Sequence, residues 1–253
     1  MWDLLIFNPM VNSLLFIYDF LFHNFALAIV VFTILIRLIT LPLTLQQQRS
    51  TQHMQELQGS KRWQDMQKKY KGDKQKLQEE QLKLYREVGF NPLSGCLPLL
   101  IQFPILIGLY QSISRALAIA PPQLLDLAKR VYPFISSTLV PVNSHFLWWD
   151  LGHPERLVSP QVFGFGLPVL TILVVVTSWV QTKLTTPPSA DAQSRQMSTM
   201  MSLYLPLLIG YFSYSYASGL ALYFLVSNIL TVVQYAAMGK VNWRGLISFR
   251  GSA

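Results

Sequence analysis

The residue best suited to chemistry in this sequence is Arg37, because it lies inside the apolar run from Phe25 to Leu45. As a helix this run would rise about 31 Å, enough to cross the hydrocarbon core of a bilayer. An arginine near the centre of such a span costs roughly 2.5–3.5 kcal/mol, and it does not escape that cost by losing its proton. A charge held at this depth indicates function. The alternative is a structural arginine that holds carbonyls or amides of neighbouring helices.

Polar residues at helical spacing accompany Arg37. In the first apolar run, Thr33, Arg37 and Thr40 are spaced i, i+4 and i+7, so they share one helical face. Two later apolar runs carry polar residues at overlapping depth. Because the apolar runs hold no Asp or Glu that could pair with the arginine, we expect a shared groove that is wet from the cytoplasm and sealed outside. The predicted groove residues are Arg37, Thr33, Thr40, Gln102, Ser227, Asn228 and Thr231.

The sequence holds no pattern typical of an enzyme, a metal site or a nucleotide site. The four histidines are scattered, and none belongs to an HExxH or a Cys/His pattern. No GxxxxGK phosphate loop occurs, so ATP-driven transport has no support. The apolar runs also lack the Asp, Glu or His that a membrane-embedded hydrolase would use. We therefore predict a protein that is not an enzyme and that uses no cofactor and no metal.

Composition and charge indicate a polytopic membrane protein. Of the 253 residues, 51% are hydrophobic and only 13% are charged, whereas soluble domains carry about a quarter charged residues. The net charge is +8, and half of the 20 lysines and arginines lie in residues 49–86. Basic residues beside membrane spans mark the cytoplasmic side, so this charge informs topology rather than nucleic-acid binding. Cys96 is the single cysteine, which excludes an internal disulfide framework.

These patterns predict an all-α integral membrane protein with five transmembrane helices, an N-terminal interfacial helix and a cytoplasmic helical hairpin. The distribution of Lys and Arg places the N-terminus outside and the C-terminus in the cytoplasm. The predicted segments are an outer interfacial amphipathic helix (1–23), span one (24–45), the cytoplasmic hairpin (46–90), span two (95–118), an outer loop (119–161), span three (162–183), a cytoplasmic loop (184–199), span four (200–217), span five (219–239) and a cytoplasmic tail (240–253).

Motifs along nearly the whole chain resemble those of the YidC family of membrane protein insertases, which has relatives in mitochondria and chloroplasts. The motifs are Ile36-Arg37-Leu38 with Leu41-Pro42-Leu43, Asn91-Pro92-Leu93-Ser94-Gly95-Cys96-Leu97-Pro98 running into Gln102-Phe103-Pro104, Phe146-Leu147-Trp148-Trp149-Asp150-Leu151, and Ser218-Gly219-Leu220 with Leu222-Tyr223 and Ser227-Asn228. The sequence is similar to the compact five-span form. From this resemblance we expect a protein without the large outer domain of some Gram-negative members and without the long basic tail of some relatives.

The resemblance implies a membrane protein insertase or chaperone. Such a protein moves short polar tails of client proteins through a hydrophilic groove centred on Arg37 and releases their apolar spans into lipid, without hydrolysing ATP. The implied location is the plasma (inner) membrane of a bacterium rather than a plastid thylakoid membrane. The implied partners are nascent membrane proteins and the lipid bilayer, with the Sec translocon, the ribosome or signal recognition targeting factors as further candidates and no direct nucleic-acid partner.

Two other function classes compete with the insertase. An anion channel or transporter would use Arg37 as an anion site, and a scaffold would only hold other membrane proteins together. The sequence shows no internal repeat and no matched pair of broken helices, which argues against a secondary transporter.

Overall fold

The computed structural model describes residues 1–70, 72–89, 97–117, 121–133, 135, 142–155, 161–162, 165–185 and 192–239. Within these ranges the chain is mostly helical, as predicted, and it also contains two short strand pairs that were not predicted. One apolar core joins the N-terminal helix to the longer apolar helices that follow.

The N-terminal segment folds as a π-helical turn, Asp3–Phe7, that continues into helix α1, Asn8–Phe20. α1 packs against the helices at residues 25–59 and 97–116, and Val11, Leu14 and Leu15 are completely buried there. The segment is therefore helical as expected, and one face of α1 belongs to the core. Its location at a membrane interface stays a prediction.

Helix α2, Phe25–Gly59, carries Arg37 and is longer than the predicted first span. The chain breaks before it, as expected, because Phe22 and His23 adopt left-handed φ values of 54° and 60°. Asn24 then caps α2 by accepting a hydrogen bond from a backbone N–H of the first turn at 3.1 Å. The predicted boundary at residues 45–46 is a change of composition and not a helix end, because α2 continues through Pro42 into the Gln-rich segment, whose residues favour helix.

Two shorter helices follow α2 in the predicted hairpin: α3, Lys61–Lys69, and α4, Lys74–Glu87. The break between α2 and α3 at Ser60 was not predicted; the Ser60 hydroxyl caps α3. Trp63 of α3 is 2% exposed and packs on Tyr85 of α4, with ring centroids 5.6 Å apart. The predicted turn at residues 71–73 falls between α3 and α4, although residue 71 lies outside the described residues.

The predicted second span contains helix α5, Leu97–Ala116, and the predicted outer loop contains helix α6, Pro121–Arg130. The loop also contains an unpredicted hairpin of two strands, β1 (His145–Phe146) and β2 (Trp149–Asp150), which pair antiparallel. Two-residue strands are too short to give an alternating sequence pattern, so periodicity could not reveal them. The first residues of the predicted span, 95 and 96, lie outside the described residues.

Three helices complete the described chain: α7 (Val169–Thr185), α8 (Ala192–Ser215) and α9 (Ser218–Ala237). The predicted start of span three at residue 162 is wrong, because strands β3 (Gln161–Val162) and β4 (Phe165–Gly166) pair there instead. The sequence at residues 164–168 is Gly-Phe-Gly-Leu-Pro. Its glycines disfavour helix, whereas the proline at its end suits the start of a helix.

α8 begins inside the predicted cytoplasmic loop of residues 184–199, so this helix extends past the predicted fourth span. The turn expected at Ser218–Gly219 falls slightly earlier, because Ser218 already begins α9. The predicted tail, residues 240–253, lies outside the described residues.

The helices differ in how clearly they suit a membrane. Of the described residues, α2 and α9 contain stretches long and apolar enough to cross a bilayer, and α7 is a shorter apolar helix. α9 packs against both α2 and α7, and α8 packs against α7. The number of five spans therefore stays a prediction.

Gly210 marks a close approach between α7 and α8. A Cβ atom at this position would clash with Cγ2 of Val175 on α7, so either the valine side chain or the helices would have to shift. We expect Gly210→Ala to destabilise the protein by about 1–3 kcal/mol, the usual range for overpacking. Thermal unfolding of the detergent-solubilised protein measures the effect.

The matched control is Gly59→Ala, because no atom lies within 4 Å of a Cβ built there. Adding Val175→Ala to Gly210→Ala should restore much of the lost stability by making room for the methyl group. If Gly210→Ala melted at the wild-type temperature, the close approach of α7 and α8 would not matter for stability.

Candidate functional site

Arg37 lies where α2 packs against α9. Its Nη2 donates to the carbonyl oxygen of Ser227 at 3.0 Å and to the Ser227 hydroxyl at 2.5 Å. The same carbonyl accepts the hydroxyl of Thr231 at 2.8 Å. Three of the predicted groove residues thus meet at one place in the helix interface, where hydrogen bonds to Ser227 fix the position of the guanidinium.

The guanidinium keeps donors that this contact does not use. Arginine has five N–H groups, and both bonds to Ser227 come from Nη2. Among the described residues, no carboxylate forms an ion pair with Arg37; their ion pairs lie in the N-terminal segment, around α2 to α4, and in α5, α6 and the outer loop. Because arginine stays charged, the remaining donors favour water or an acidic ligand.

The other predicted groove residues bond away from the guanidinium. Thr33 and Thr40 donate to carbonyl oxygens one turn earlier on α2, at 2.6 and 2.8 Å. The Gln102 amide donates to the Tyr223 hydroxyl at 2.7 Å, which ties α5 to α9. A threonine whose hydroxyl donates to a carbonyl of its own helix does not need water in a cavity. Helical spacing shows that these residues share a face, but it does not show which groups their side chains bond to.

Asn228 faces α7 rather than Arg37. Its amide donates to the Thr177 hydroxyl at 3.1 Å and to the Ser178 hydroxyl at 2.8 Å. Thr177, Ser178 and Tyr223 were not among the predicted site residues. Tyr223 precedes Ser227 by four residues and therefore lies on the same helical face, so its spacing could have identified it as a site residue. No sequence signal indicates which helix Asn228 faces.

An open cleft of about 390 Å³ lies between α2 and α9. Arg37 lines this cleft, whereas the other six predicted groove residues, all described by the structure, do not. The walls are mainly aliphatic and consist of Ile34, Arg37, Leu38, Leu41, Leu45, Leu230, Val233, Gln234, Ala237 and Met238. The cleft therefore presents one guanidinium and one amide on otherwise apolar walls.

The helices that form the cleft pack tightly at one end and loosely at the other. On α2, most residues from Phe25 to Thr33 are buried, whereas none from Ile34 to Leu45 is. On α9, Ser218 through Phe224 are all buried, and further along Val233 is 56% exposed. The cleft is thus closed at the N-terminal ends of both helices, and Arg37 lies just beyond the closed part.

Glu155, which was not a predicted site residue, helps to hold the closed end together. Its carboxylate is fully buried and caps α7, accepting the backbone N–H groups of Leu170 and Thr171 at 2.7 Å each. It also accepts the Thr171 hydroxyl at 2.7 Å and the indole N–H of Trp149 at 3.2 Å. One side chain therefore joins the β1–β2 hairpin to the start of α7.

The same hairpin also contacts the start of α9. The backbone N–H groups of Ser218 and Gly219 donate to carbonyl oxygens of the loop that follows β2, both at 2.9 Å. Asp150 accepts a hydrogen bond from the Gly152 N–H at 3.0 Å and lies 2.8 Å from His153 Nδ1. Burial raises the pKa of Asp150, but hydrogen bonds with Ser144, Gly152 and His153 outweigh it, so the pKa lies below the ordinary value.

A second cleft, of about 230 Å³, lies between α5 on one side and the C-terminal end of α8 and the start of α9 on the other. Its walls are apolar and rich in aromatic rings, and they consist of Phe103, Leu106, Ile107, Tyr110, Phe212, Tyr216, Leu220 and Phe224. Tyr110 and Tyr216 contact edge to face, with ring centroids 4.9 Å apart. This surface suits an apolar helix or a lipid chain better than a polar ligand.

This chain is similar to known proteins in sequence and in structure. Residues 16–243 match the family model described as 60Kd inner membrane protein. The membrane protein insertase YidC of Fusobacterium nucleatum is 36% identical over 86% of this chain and 87% of its own length. The YidC of Syntrophobacter fumaroxidans is 34% identical over 92% of this chain, but the match spans only 37% of that relative.

A solved structure, described as an active YidC insertase with the first transmembrane domain resolved, matches with a TM-score of 0.59 and 31% identity. That match covers 93% of this chain and 46% of the solved chain, so this chain spans less than half the length of some of its relatives. The family model and the similarity to insertases over most of the chain agree with the motifs around Arg37 and at the start of α9. The chain belongs to the YidC family of inner membrane proteins.

Proposed function

We propose that this chain is a membrane protein insertase that moves short polar tails of client proteins across the bilayer, past Arg37, without hydrolysing ATP. The observation that carries the proposal is the position of Arg37, at the closed end of a cleft and without a carboxylate partner among the described residues. The insertase names of its relatives support the same function.

The physical reason for such a cleft is the cost of moving polar groups through hydrocarbon. Each unsatisfied backbone group costs several kcal/mol in the bilayer core. If water enters the cleft as far as Arg37, the client's polar tail has to cross only the tightly packed part of the molecule without water. The distance that the tail travels through a dry medium is therefore shorter. One fixed positive charge in a medium of low dielectric would also attract an acidic tail.

The apolar span of the client requires a different surface. The aromatic cleft between α5 and α8 offers one, because it is apolar and open. A client helix that leaves along this cleft would gain free energy by burying its side chains in lipid. In this mechanism Arg37 receives the polar tail, and α5 and α8 guide the apolar span.

We also propose that the chain crosses a bacterial inner membrane five times, with the N-terminus outside and the basic α3–α4 segment in the cytoplasm. In a variant without Cys96, cysteines at Ser13 of α1 and Lys83 of α4, both exposed, should react with an impermeant thiol reagent from opposite sides of intact cells. Labelling of both from outside would contradict this orientation.

The proposed partners are nascent membrane proteins and the lipid bilayer. The α3 and α4 helices expose several lysines and arginines, which suits transient contact with the ribosome, a targeting factor or anionic lipids. The Sec translocon is a further proposed partner.

Reconstitution tests the proposed function against an anion channel. The purified chain in liposomes without nucleotide should insert a small membrane protein that has a short acidic tail, as measured by protease protection of the tail. Empty liposomes are the control. Chloride flux through the vesicles without insertion of the client would favour the channel and contradict the proposal.

A further inference from the structure

Two exposed segments at the closed end of the molecule carry large apolar side chains on strained backbone. Leu147 lies between strands β1 and β2 with a φ of 56°, and Phe22 lies shortly before α2 with a φ of 54°. Their exposed fractions are 71% and 95%. The left-handed region is unfavourable for bulky residues, and glycine or asparagine is the ordinary choice there. Strain of this kind commonly marks functional sites, so both residues call for an explanation outside the packing of the chain.

The strain at Leu147 belongs to a tight turn. Phe146 pairs with Trp149, so Leu147 and Trp148 form a two-residue hairpin loop. Loops of this length that need a positive φ at their first position usually carry glycine there. Leucine occupies the position instead, and the following Trp148 is 54% exposed. The hairpin therefore ends in a tip of two large apolar side chains, Leu147 and Trp148.

The rest of the hairpin holds this tip in a fixed place. The ring of Trp149 is buried and packs on that of Trp148, with centroids 4.5 Å apart, while its indole donates to Glu155 at the start of α7. Leu151 follows β2 and accepts the backbone N–H of Gly219 at 2.9 Å. The tip is thus tied to the first turns of both α7 and α9.

The same framework includes the turn that contains Phe22. The backbone N–H of Asn143, which lies just before β1, donates to the Tyr18 hydroxyl at 3.0 Å. The Tyr18 ring contacts the ring of His23 edge to face, with centroids 5.3 Å apart. Phe22 and the tip therefore lie on connected parts of the closed end.

Both segments lie at the height of helix ends. α2 and α9 contain stretches long and apolar enough to cross a bilayer, so the first turn of each helix lies near a membrane surface. Phe22 precedes the first residue of α2 by three positions, and the tip is tied to the first turn of α9. Aromatic side chains favour this level of a membrane, where the headgroups meet the acyl chains.

Polar neighbours exclude a deeper position in the hydrocarbon. Beside the tip, a carboxylate oxygen of Asp150 lies 2.8 Å from His153 Nδ1. Beside Phe22, a carboxylate oxygen of Asp19 lies 3.6 Å from His23 Nε2. These groups need water, whereas the exposed leucine and aromatic side chains gain free energy by leaving it. The headgroup region of a bilayer serves both within a few ångströms.

We propose that Phe22, Leu147 and Trp148 anchor the closed end in the headgroup region of a lipid leaflet, which is the outer leaflet in the orientation proposed above. The anchor sets the depth at which the starts of α2 and α9 lie in the bilayer. None of the three residues is charged, so the contact does not require anionic lipids. The inference goes beyond the proposed insertase function and does not depend on it.

Depth-dependent quenching of a fluorophore tests the anchor. In a variant without Cys96, a cysteine replaces His145, an exposed residue two positions before the tip, and is labelled with a fluorophore. In phosphatidylcholine liposomes, nitroxides on the headgroups should quench the label more strongly than nitroxides near the bilayer centre. A label at Lys83 of α4, also exposed, is the control and should be quenched by aqueous iodide but not by lipid nitroxides.

Substitutions in the tip separate an anchor from a label that happens to lie near lipid. Leu147→Asn combined with Trp148→Ser should increase iodide quenching at position 145 by about twofold, because the tip loses the apolar area that holds it at the interface. Leu82→Asn, which changes an exposed leucine of α4, should leave that quenching unchanged. Asparagine tolerates a left-handed φ, so Leu147→Asn alone should melt in detergent at or above the wild-type temperature.

Three results would overturn the anchor. Strong iodide quenching at position 145 in the otherwise unchanged chain, without quenching by lipid nitroxides, would show that the tip faces water and is free for a protein partner. Strongest quenching from the bilayer centre would place the tip in the hydrocarbon. Equal quenching with and without the two tip substitutions would show that these side chains do not hold the closed end. No client takes part in these measurements, so none of the results bears on the insertase function.

Discussion

Arg37→Ala is expected to slow insertion of clients with acidic tails by roughly tenfold to hundredfold, the loss that corresponds to one charge-assisted hydrogen bond. The reason is that the guanidinium is the charged group in the cleft, and donors beyond its bonds to Ser227 are available to a carboxylate. Arg37→Lys should keep part of the activity, because it preserves the charge but offers fewer donors in a different geometry. Protease protection of the tail in liposomes measures the rate.

The matched control is Arg49→Ala, which removes an exposed arginine from the same helix. It should leave insertion of acidic tails close to the wild-type rate. Clients with neutral tails should also be less sensitive to Arg37→Ala than clients with acidic tails. If Arg37→Ala retained full activity with acidic tails, the arginine would be a packing residue that holds α9 to α2.

Glu155→Ala is expected to have the largest effect on stability, about 3 kcal/mol or more. The substitution removes a buried carboxylate that accepts four hydrogen bonds, so backbone donors of Leu170 and Thr171 and the indole of Trp149 lose a partner. Without it, the β1–β2 hairpin is no longer tied to the start of α7. Thermal unfolding in detergent measures the loss.

Glu155→Gln should fall between the wild type and Glu155→Ala, because an amide keeps one acceptor oxygen. Glu56→Ala is the control, since the Glu56 side chain is 78% exposed and its ion pair with His53 lies at the surface. A melting temperature for Glu155→Ala equal to that of Glu56→Ala would mean that this carboxylate does not stabilise the closed end.

The sequence predicts the helices well where a long apolar or charged pattern sets them. Arg37 could be singled out because a charge in an apolar run is a strong signal, and its contact with Ser227 joins two predicted groove residues. The ends of helices were less predictable. α2 continues past Leu45 because helix-forming residues follow the apolar run, and α7 starts late because glycines precede Pro168.

Other features depend on tertiary contacts that leave no pattern in the sequence. Spacing places Thr33 and Asn228 on polar stripes, but it does not show that Thr33 bonds within α2 or that Asn228 faces α7. Glu155 was equally hidden, because a single carboxylate in a loop normally lies at the surface. Its burial follows from donors on two separate segments, which only the folded chain brings together.

The most direct test of the mechanism asks whether a client's tail passes Arg37 in the cleft. In a variant without Cys96, a cysteine replaces either Leu41, which lines the cleft one turn from Arg37, or Ile39, which is 72% exposed on another face of α2. A client with one cysteine in its polar tail is then halted during insertion, and disulfide formation is measured. If the tail passes Arg37 in the cleft, a cross-link forms at position 41 and little forms at position 39. Equal cross-linking at both positions, or none at position 41 while the client still inserts, would contradict it.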